Sequence, residues 1–198
     1  MSLESRKLGK EQTKYALLIG FVLLLLLIFT DFHPVAWITG EQRTTSSPAF
    51  GFSVTHPGIW DARQYADGGY RGDDTVVFII SSDLVTGFNG IRISRQVATN
   101  PKLEEVAKWG NDLRKDDGWR LNRTYQGFEA SDLYSDIVDG YPILRRVYHV
   151  ERRDAVDEDV YIARQNDMII ITLRTTQDQY ENFVDEFDRI VESFTPKE

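Results

Sequence analysis

The spacing of hydrophobic positions over residues 50–195 predicts strands and helices in a definite order. Seven segments have the alternating or short continuous apolar pattern that is typical of strands. These segments are residues 50–55, 75–82, 90–97, 130–138, 142–150, 159–165 and 168–175. Asn89-Gly90 and Asp139-Gly140 are turn signals, and short connections of this kind favour antiparallel neighbours.

Two other segments have the spacing of amphipathic helices. The first, residues 100–118, begins with Asn100 as the expected N-cap and ends at Gly118. The second follows Thr176 and Gln179, which match a capping box. Its apolar stripe consists of Tyr180, Phe183, Val184, Phe187, Ile190, Val191 and Phe194. The order of strands, helix, strands and helix predicts an α+β fold, an antiparallel sheet flanked by helices.

Two polar stretches are predicted to lie outside the sheet. Residues 151–159, ERRDAVDED, are mostly charged and predict a solvated hairpin tip. Residues 39–49, TGEQRTTSSPA, lack periodicity and predict a flexible tether within a linker over residues 33–49. The folded domain is then expected over residues 50–195.

An apolar segment over residues 15–32 precedes this linker. No residue from Tyr15 to Phe29 is charged, so the run is slightly shorter than the about 20 residues that span a bilayer core. Aromatic residues at both ends can extend it at the membrane interfaces. The segment predicts a single transmembrane helix, with a cleaved signal peptide as the alternative. The following residues offer no Ala-x-Ala site, which favours an anchor that is not cleaved.

The charges beside this segment predict its orientation. The basic residues before it are Arg6, Lys7, Lys10 and Lys14. Positive flanks stay in the cytoplasm, so residues 1–14 form a cytoplasmic tail. The carboxyl-terminal domain then lies outside the cell membrane, in the periplasm, the cell exterior or a lumen. Ala16 and Gly20 form a small-xxx-small pair, which makes them candidates for contact with another membrane helix.

Composition and charge exclude several function classes. The chain has 198 residues and a formal net charge of −8, which argues against a nucleic-acid partner. After Asp31 there are 19 basic and 28 acidic residues, and this balance favours basic or neutral partners. The chain has no cysteine, so disulfides, thiolate metal sites and a lipid-modified cysteine are all excluded.

The sequence contains no recognisable catalytic, cofactor or metal motif. No Walker or dinucleotide fingerprint is present, and GFSVT lacks the second glycine of a nucleophile elbow. His56 and His149 are candidates to meet in space, but a metal site would also need carboxylates such as Asp73, Asp74 or Glu151. We therefore expect no enzyme activity, no cofactor and no metal.

The glycine-rich loop at residues 67–74, DGGYRGDD, is the candidate for contact with a partner protein. The loop ends in two acids, which would repel a phosphate, and loops carry binding residues more often than cores do. The residues expected to make the contact are Tyr70, Arg71, Asp73 and Asp74.

Two segments of the chain resemble the PsbP family, the extrinsic subunits of photosystem II. GFSVTHPGIW, residues 51–60, is similar to the opening motif of that family. Residues 168–194, MIIITLRTTQDQYENFVDEFDRIVESF, are similar to its last strand and last helix. The resemblance covers about residues 50–195 and implies an α-β-α sandwich. In this fold Phe52 and Val54 would form the first strand, and Trp60 would fold back onto the core.

The resemblance also implies an accessory, assembly or adaptor role. Together with the predicted anchor, it indicates a non-enzymatic subunit that docks its domain on an integral membrane protein complex, respiratory or photosynthetic. The alternative is an extracytoplasmic module that holds a small ligand or a lipid in a pocket between sheet and helix.

Overall fold

The structure, a computed structural model, describes most of the chain from residue 40 onward. The described residues are 13–22, 40–66, 75–82, 89–105, 108, 110, 128–150 and 154–196. Within them, eleven strands and a carboxyl-terminal helix account for most of the regular structure. This confirms the predicted antiparallel, sheet-rich fold, although strands outweigh helices more than the sequence suggests.

Eight of these strands belong to one antiparallel sheet and three to another. The strands are β1 (Gln42–Ser47), β2 (Phe52–Pro57), β3 (Asp61–Gln64), β4 (Val76–Ser81), β5 (Gly90–Val97), β6 (Phe128–Ala130), β7 (Tyr134–Val138), β8 (Tyr141–Val150), β9 (Ala155–Ala163), β10 (Asp167–Thr176) and β11 (Thr195–Pro196). The large sheet has the order β3-β4-β5-β10-β9-β8-β6, and β7 also pairs with β8. The small sheet has the order β1-β2-β11. All of these pairs are antiparallel.

Strands β9 and β10 lie at the centre of the large sheet and are buried on both faces. Eight consecutive residues of β9 and seven of β10 are buried. Successive side chains of a strand point to opposite faces, so β10 contributes to two cores. Ile169 and Ile171 belong to the larger core, whereas Met168 and Ile170 belong to the smaller one on the other face.

The carboxyl-terminal helix, Tyr180–Glu192, covers the first of these faces. Phe187, Ile190 and Val191 of its predicted apolar stripe are buried in the larger core, and Phe194 continues the stripe beyond the helix. The spacing of hydrophobic residues therefore predicts this element correctly, because the stripe is wide enough to cover a sheet.

The capping box predicted for this helix is wrong. Gln179 is the N-cap residue and makes no side-chain capping bond. Thr176 is the last residue of β10, where it pairs with Ala155 of β9. The ladder between β9 and β10 thus holds the threonine in the sheet, and the helix begins one turn later.

The two segments that resemble the PsbP family contact each other. The ring of Phe52 stacks on the ring of Phe194, with their centroids 5.6 Å apart. The Ser193 hydroxyl accepts a hydrogen bond from the Thr55 backbone N–H at 2.8 Å and donates one to the Ile190 carbonyl at 2.7 Å. The end of the helix is thereby joined to β2.

Trp60 closes the larger core at the edge of the small sheet, as the resemblance implies. The chain turns after β2, and the Trp60 N–H donates to the Pro57 carbonyl at 3.0 Å. The indole is 8% exposed and lies 5.9 Å from the ring of Phe183. Phe52 and Val54 are fully buried beside it, so these residues stabilise the fold.

Helical residues from position 103 contact the opposite face of the sheet. Leu103 is partly buried against the smaller core, and Gly110 lies so close to Tyr161 that a Cβ there would come within 2.2 Å of the hydroxyl oxygen. The helix begins after Asn100, whose φ of 47° places it in the left-handed region. Asn100 is therefore not the N-cap, and residues 111–118 of the predicted helix lie outside the described residues.

The charged stretch at residues 151–159 differs most from its sequence-based expectation. Residues 155–159 are the first half of β9 rather than a solvated hairpin tip, and Asp157 and Asp159 are each 1% exposed. These acids can be buried in β9 because neighbouring side chains supply hydrogen bonds and positive charges, as described below.

The polar stretch at residues 39–49 also contains a strand. Residues 42–47 form β1, which pairs with β2 along its whole length, so they are not an irregular tether. The alternation of apolar residues does not predict β1, because this edge strand has mostly exposed side chains and no apolar face. The division into a linker at 33–49 and a domain at 50–195 stays a prediction.

Residues 13–22 are helical, and Ala16 and Gly20 lie on this helix. Among the described residues, no helix is both long enough and apolar enough to cross a membrane. Residues 23–39, which contain the rest of the predicted span at 15–32, lie outside the described residues, as does the loop at 67–74 with Tyr70, Arg71, Asp73 and Asp74.

The burial of Phe187 predicts a large loss of stability when its ring is removed. Phe187→Ala in a chain of residues 40–198 should lower the free energy of unfolding by about 3–5 kcal/mol, because it leaves a cavity between helix and sheet. Urea denaturation followed by circular dichroism measures this change. Asp185→Ala, an exposed change on the same helix, should stay within about 0.5 kcal/mol. Similar decreases in the free energy of unfolding in both variants would contradict the packing of this helix against the sheet.

Candidate functional site

A cleft of about 610 Å³ opens where the small sheet meets the end of the large one. Segments far apart in the sequence line it: the turn after β1, the strands β5, β8 and β11, and the turn between β9 and β10. The lining residues are Phe50, Gly51, Arg95, Tyr141, Arg164, Gln165, Asn166, Asp167 and Pro196. Two arginines and one aspartate give these residues a formal charge of +1, although the whole chain carries −8.

Four hydrogen bonds hold Arg164 in the wall of this cleft. Its Nε and Nη2 atoms each donate to one carboxylate oxygen of Asp167 at 2.6 Å. Nη1 donates to the Gly51 carbonyl at 2.8 Å, and Nη2 also donates to the Phe50 carbonyl at 2.9 Å. Gly51 has a φ of 64°, the left-handed conformation that glycine adopts readily. Arg164 thus fastens the turn after β1 to the large sheet.

Asp167 is the acid shared by both arginines of the cleft. Its side chain is 5% exposed, and Arg95 Nε donates to its Oδ2 atom at 2.7 Å. Burial alone would raise the pKa of this carboxyl, but the hydrogen bonds from Arg164 and Arg95 outweigh burial and hold the pKa below its usual value. Asp167 therefore remains ionised and balances one of the two positive charges.

Arg95 lies at the rim of the cleft and is less constrained than Arg164. Its guanidinium carbon lies 5.6 Å from the centre of the Phe50 ring, within range of a cation–π contact. Its side chain is 30% exposed. Within the described part of the chain, the terminal nitrogens of Arg95 donate no hydrogen bond, and only Nε is engaged.

A second, smaller cleft of about 290 Å³ surrounds His56 on β2. His56 is 1% exposed, its Nδ1–H donates to the Pro57 carbonyl at 2.9 Å, and Nε2 accepts from the Thr45 hydroxyl at 2.9 Å. Burial is the main cause that lowers the His56 pKa, while the bond to Pro57 opposes it. Arg43 lowers the pKa further and Asp61 raises it. The neutral imidazole thus joins β2 to β1.

Glu158 of β9 connects the large sheet to the carboxyl-terminal helix. Arg145 of β8 donates from Nη2 and Nε to Glu158 Oε1 at 2.7 and 3.1 Å, and Arg145 also pairs with Asp188 of the helix. The Tyr180 hydroxyl donates to the other oxygen, Oε2, at 2.7 Å. Burial and this bond to Glu158 raise the pKa of Tyr180 far above its usual value, so the phenol keeps its proton.

The opposite face of β9 carries a separate set of paired acids. Arg174 forms two bonds to Asp157, at 2.7 and 2.5 Å. Asp159 accepts from the Thr172 and Tyr161 hydroxyls, each at 2.8 Å. Asp157, Asp159, Thr172 and Tyr161 are buried in the sheet, and these hydrogen bonds satisfy their polar groups. Their arrangement stabilises the fold and offers no exposed reactive group.

Within the part of the chain that the structure describes, His56 and His149 do not belong to a metal site. His149 is exposed and its Nδ1 lies 2.9 Å from Gln177 Oε1, whereas His56 is buried in the small sheet. Among the described residues, no group of three or more histidine, aspartate or glutamate side chains is placed to bind a metal ion. Glu151, Asp73, Asp74 and His33 lie outside those residues.

Sequence reasoning missed the arginine cleft because its parts are distant along the chain. Arg95 and Arg164 are 69 positions apart, and each looks like an ordinary polar residue at a strand end. One signal was available: Asp167 follows the short Gln165-Asn166 turn directly, and an acid three residues after Arg164 is well placed for an ion pair. Only the register of β5 against β10 brings Arg95 to the same acid.

Comparison with solved structures identifies proteins with a similar fold. The solution structure of cyanobacterial PsbP (CyanoP) from Synechocystis sp. PCC 6803 matches with a TM-score of 0.59 and 15% sequence identity. The match covers 79% of this chain and 93% of that one. At this identity the similarity establishes a PsbP-like fold and nothing further.

Other solved structures match more weakly. LpqN of Mycobacterium tuberculosis, described as involved in cell envelope biogenesis, has a TM-score of 0.48 and 14% identity, covering 80% of this chain and 92% of that one. PA94 of Pseudomonas aeruginosa, described as a putative regulator, has a TM-score of 0.46 and 15% identity, covering 80% and 99%. Neither supports an inference at these scores. No protein-family model and no curated protein sequence matches the chain.

The environment of His56 predicts that the domain loses stability as the pH falls below about 6.5. The unfolded histidine takes up a proton there, while the buried one resists it, so the free energy of unfolding should drop by up to about 1.4 kcal/mol per pH unit. Denaturation of residues 40–198 between pH 7.5 and 5 measures the slope, because this range lies on both sides of the pKa of about 6.5 of an unfolded histidine. Asp167 does not interfere, because its lowered pKa stabilises the folded domain and this contribution is lost only as the pH falls towards and below its unfolded value of 3.8.

His56→Gln should flatten this dependence, because the variant lacks the buried imidazole that resists protonation. His149→Gln is the matched control and should keep the slope of the wild-type domain, because His149 is exposed. An unchanged slope in His56→Gln would contradict the assignment of this pH dependence to His56.

Proposed function

We propose that this chain is a non-enzymatic accessory or assembly subunit, held at a membrane by its apolar segment and docking its β-rich domain on a membrane protein complex. The segment at residues 15–32 would serve as the anchor, with residues 1–14 in the cytoplasm and the domain on the other side. The PsbP-like fold is compatible with such a role, because extrinsic subunits of this fold attach to membrane assemblies.

The observation that carries the proposal is the exposure of the helix at residues 13–22. Six large apolar side chains on it are between 46% and 69% exposed. They are Tyr15, Leu17, Leu18, Ile19, Phe21 and Val22. Leu17, Leu18 and Ile19 are consecutive and therefore point in three different directions around the helix. A helix whose described apolar side chains are exposed on all sides is stabilised by an apolar environment.

The length of the apolar run supports a membrane as this environment. The uncharged residues continue from Tyr15 to Thr30, beyond the ten described helical residues. A helix of this length measures about 24 Å, close to the about 30 Å hydrocarbon core of a bilayer. Apart from the helix itself, no atom of the described residues lies within 4 Å of a Cβ built at Gly20, so the side of the helix with Ala16 and Gly20 has room for a second membrane helix.

Tethering explains how weak docking would suffice for function. An anchored domain samples only a thin layer above the membrane, so its effective concentration for a partner in the same membrane is high. The charge of −9 after Asp31 favours a basic docking surface on that partner. We propose the loop with Tyr70, Arg71, Asp73 and Asp74 as part of the contact.

The proposal predicts that the whole chain leaves the membrane fraction only with detergent, and then as part of a larger assembly. Solubilisation in a mild maltoside detergent followed by native electrophoresis should place it well above the mass of the monomer. Added salt should weaken the docking contact, because the Debye length falls from about 10 Å at 0.1 M to about 3 Å at 1 M. It should not release the chain from the membrane.

Residues 40–198 alone are the control and should remain in the soluble fraction. Recovery of the whole chain in the soluble fraction would contradict the anchor. Migration of the whole chain as a monomer under the mildest extraction would contradict docking, even if the anchor holds.

A further inference from the structure

We propose that the cleft between the turn after β1 and the β9–β10 turn binds a small organic carboxylate, with the terminal nitrogens of Arg95 as the recognising group. This site goes beyond docking on a membrane complex and does not depend on it.

The charges in the cleft leave one positive charge that is not balanced. Asp167 neutralises one arginine, and Arg164 uses four of its five N–H donors, two on Asp167 and one each on the Phe50 and Gly51 carbonyls. Arg164 is therefore a positioning residue for the wall of the cleft. The second positive charge belongs to Arg95, which donates to Asp167 through Nε alone.

The geometry of Arg95 suits a carboxylate. A guanidinium presents its two terminal nitrogens as a planar fork, and a carboxylate accepts from both at once. Within the residues that the structure describes, these nitrogens donate to no protein acceptor. Arg95 lines the cleft, and its side chain is 30% exposed. Its bond to Asp167 and its contact with the Phe50 ring fix the plane of the fork, so little entropy is lost when a ligand binds.

The walls of the cleft indicate an acid with an apolar or aromatic body. Phe50, Tyr141 and Pro196 supply apolar surface beside the charge, and the volume of about 610 Å³ lies within the range of small-molecule sites. A single excess positive charge matches a monovalent carboxylate better than a phosphate dianion. The Gln165 and Asn166 side chains are exposed at the rim and can add amide donors.

Hydrogen bonds between protein groups hold the opposite sides of the cleft together. Arg164 fastens the turn after β1 to the large sheet, and the N–H groups of Ala98 and Asn100 donate to the Asn166 and Gln165 carbonyls at 3.2 and 2.9 Å. A ligand therefore meets fixed partners and does not have to order a loop.

Isothermal titration of the whole chain in maltoside detergent with benzoate tests the site. Benzoate is a fragment-sized acid, so a saturable isotherm is expected in the millimolar range. Benzamide has the same shape without the charge and should not bind. Arg95→Gln should weaken benzoate binding about tenfold or more, because it removes the charged fork. Arg189→Gln removes the same charge from an exposed position on the carboxyl-terminal helix and should bind benzoate like the wild type.

Arg95→Lys is a second variant that tests the site even if Arg95→Gln fails to fold. It keeps the charge near Asp167 but lacks the fork, so it should bind benzoate several-fold more weakly while its thermal unfolding stays close to wild type. The proposal is overturned if no saturable benzoate isotherm is found, if benzamide binds equally well, or if the Arg95 variants bind as the wild type does. None of these outcomes bears on membrane docking, which native electrophoresis tests separately.

Discussion

Three consecutive acids, Asp157, Glu158 and Asp159, lie buried in the central strand of the large sheet, and this domain depends on their pairing. Buried carboxylates without partners cost several kcal/mol each, so β9 can occupy the centre only if its neighbours satisfy all three. Arginines on β8 and β10 and hydroxyl groups on both faces do so. The acids therefore help to determine which strands lie beside β9 and in which register.

The same pairing positions the surfaces to which we assign function. Glu158 joins β8, β9 and the carboxyl-terminal helix through Arg145 and Tyr180. The seated helix then brings Phe194 onto Phe52 and closes the small sheet. At the end of the large sheet this arrangement places the turn after β1 above Asp167, where the arginine cleft forms. The N-terminal helix takes no part in this core, because its described side chains are exposed.

The sequence predicts the elements whose stability comes from local spacing, and it misses those that depend on distant partners. The stripe around Phe187 and the alternation in β5 locate their elements correctly, because burial of one face dictates the pattern. The acids of β9 look like a surface loop, since their arginine partners lie on other strands. β1 has no pattern because it is an exposed edge. The sequence does not predict the cleft for a related reason, because Arg95 and Arg164 come together only through the register of β5 and β10.

A double-mutant cycle on Arg145 and Glu158 tests the dependence on paired acids most directly. Arg145→Met in residues 40–198 should lower the free energy of unfolding by about 3–5 kcal/mol, because it leaves a buried carboxylate without its cation. Adding Glu158→Gln should recover at least about 1 kcal/mol of that loss, since the amide carries no charge and can still accept from the Tyr180 hydroxyl. The claim that the fold depends on paired acids would be contradicted if the two substitutions lowered the free energy of unfolding additively. It would also be contradicted if Arg145→Met lowered it by less than about 0.5 kcal/mol.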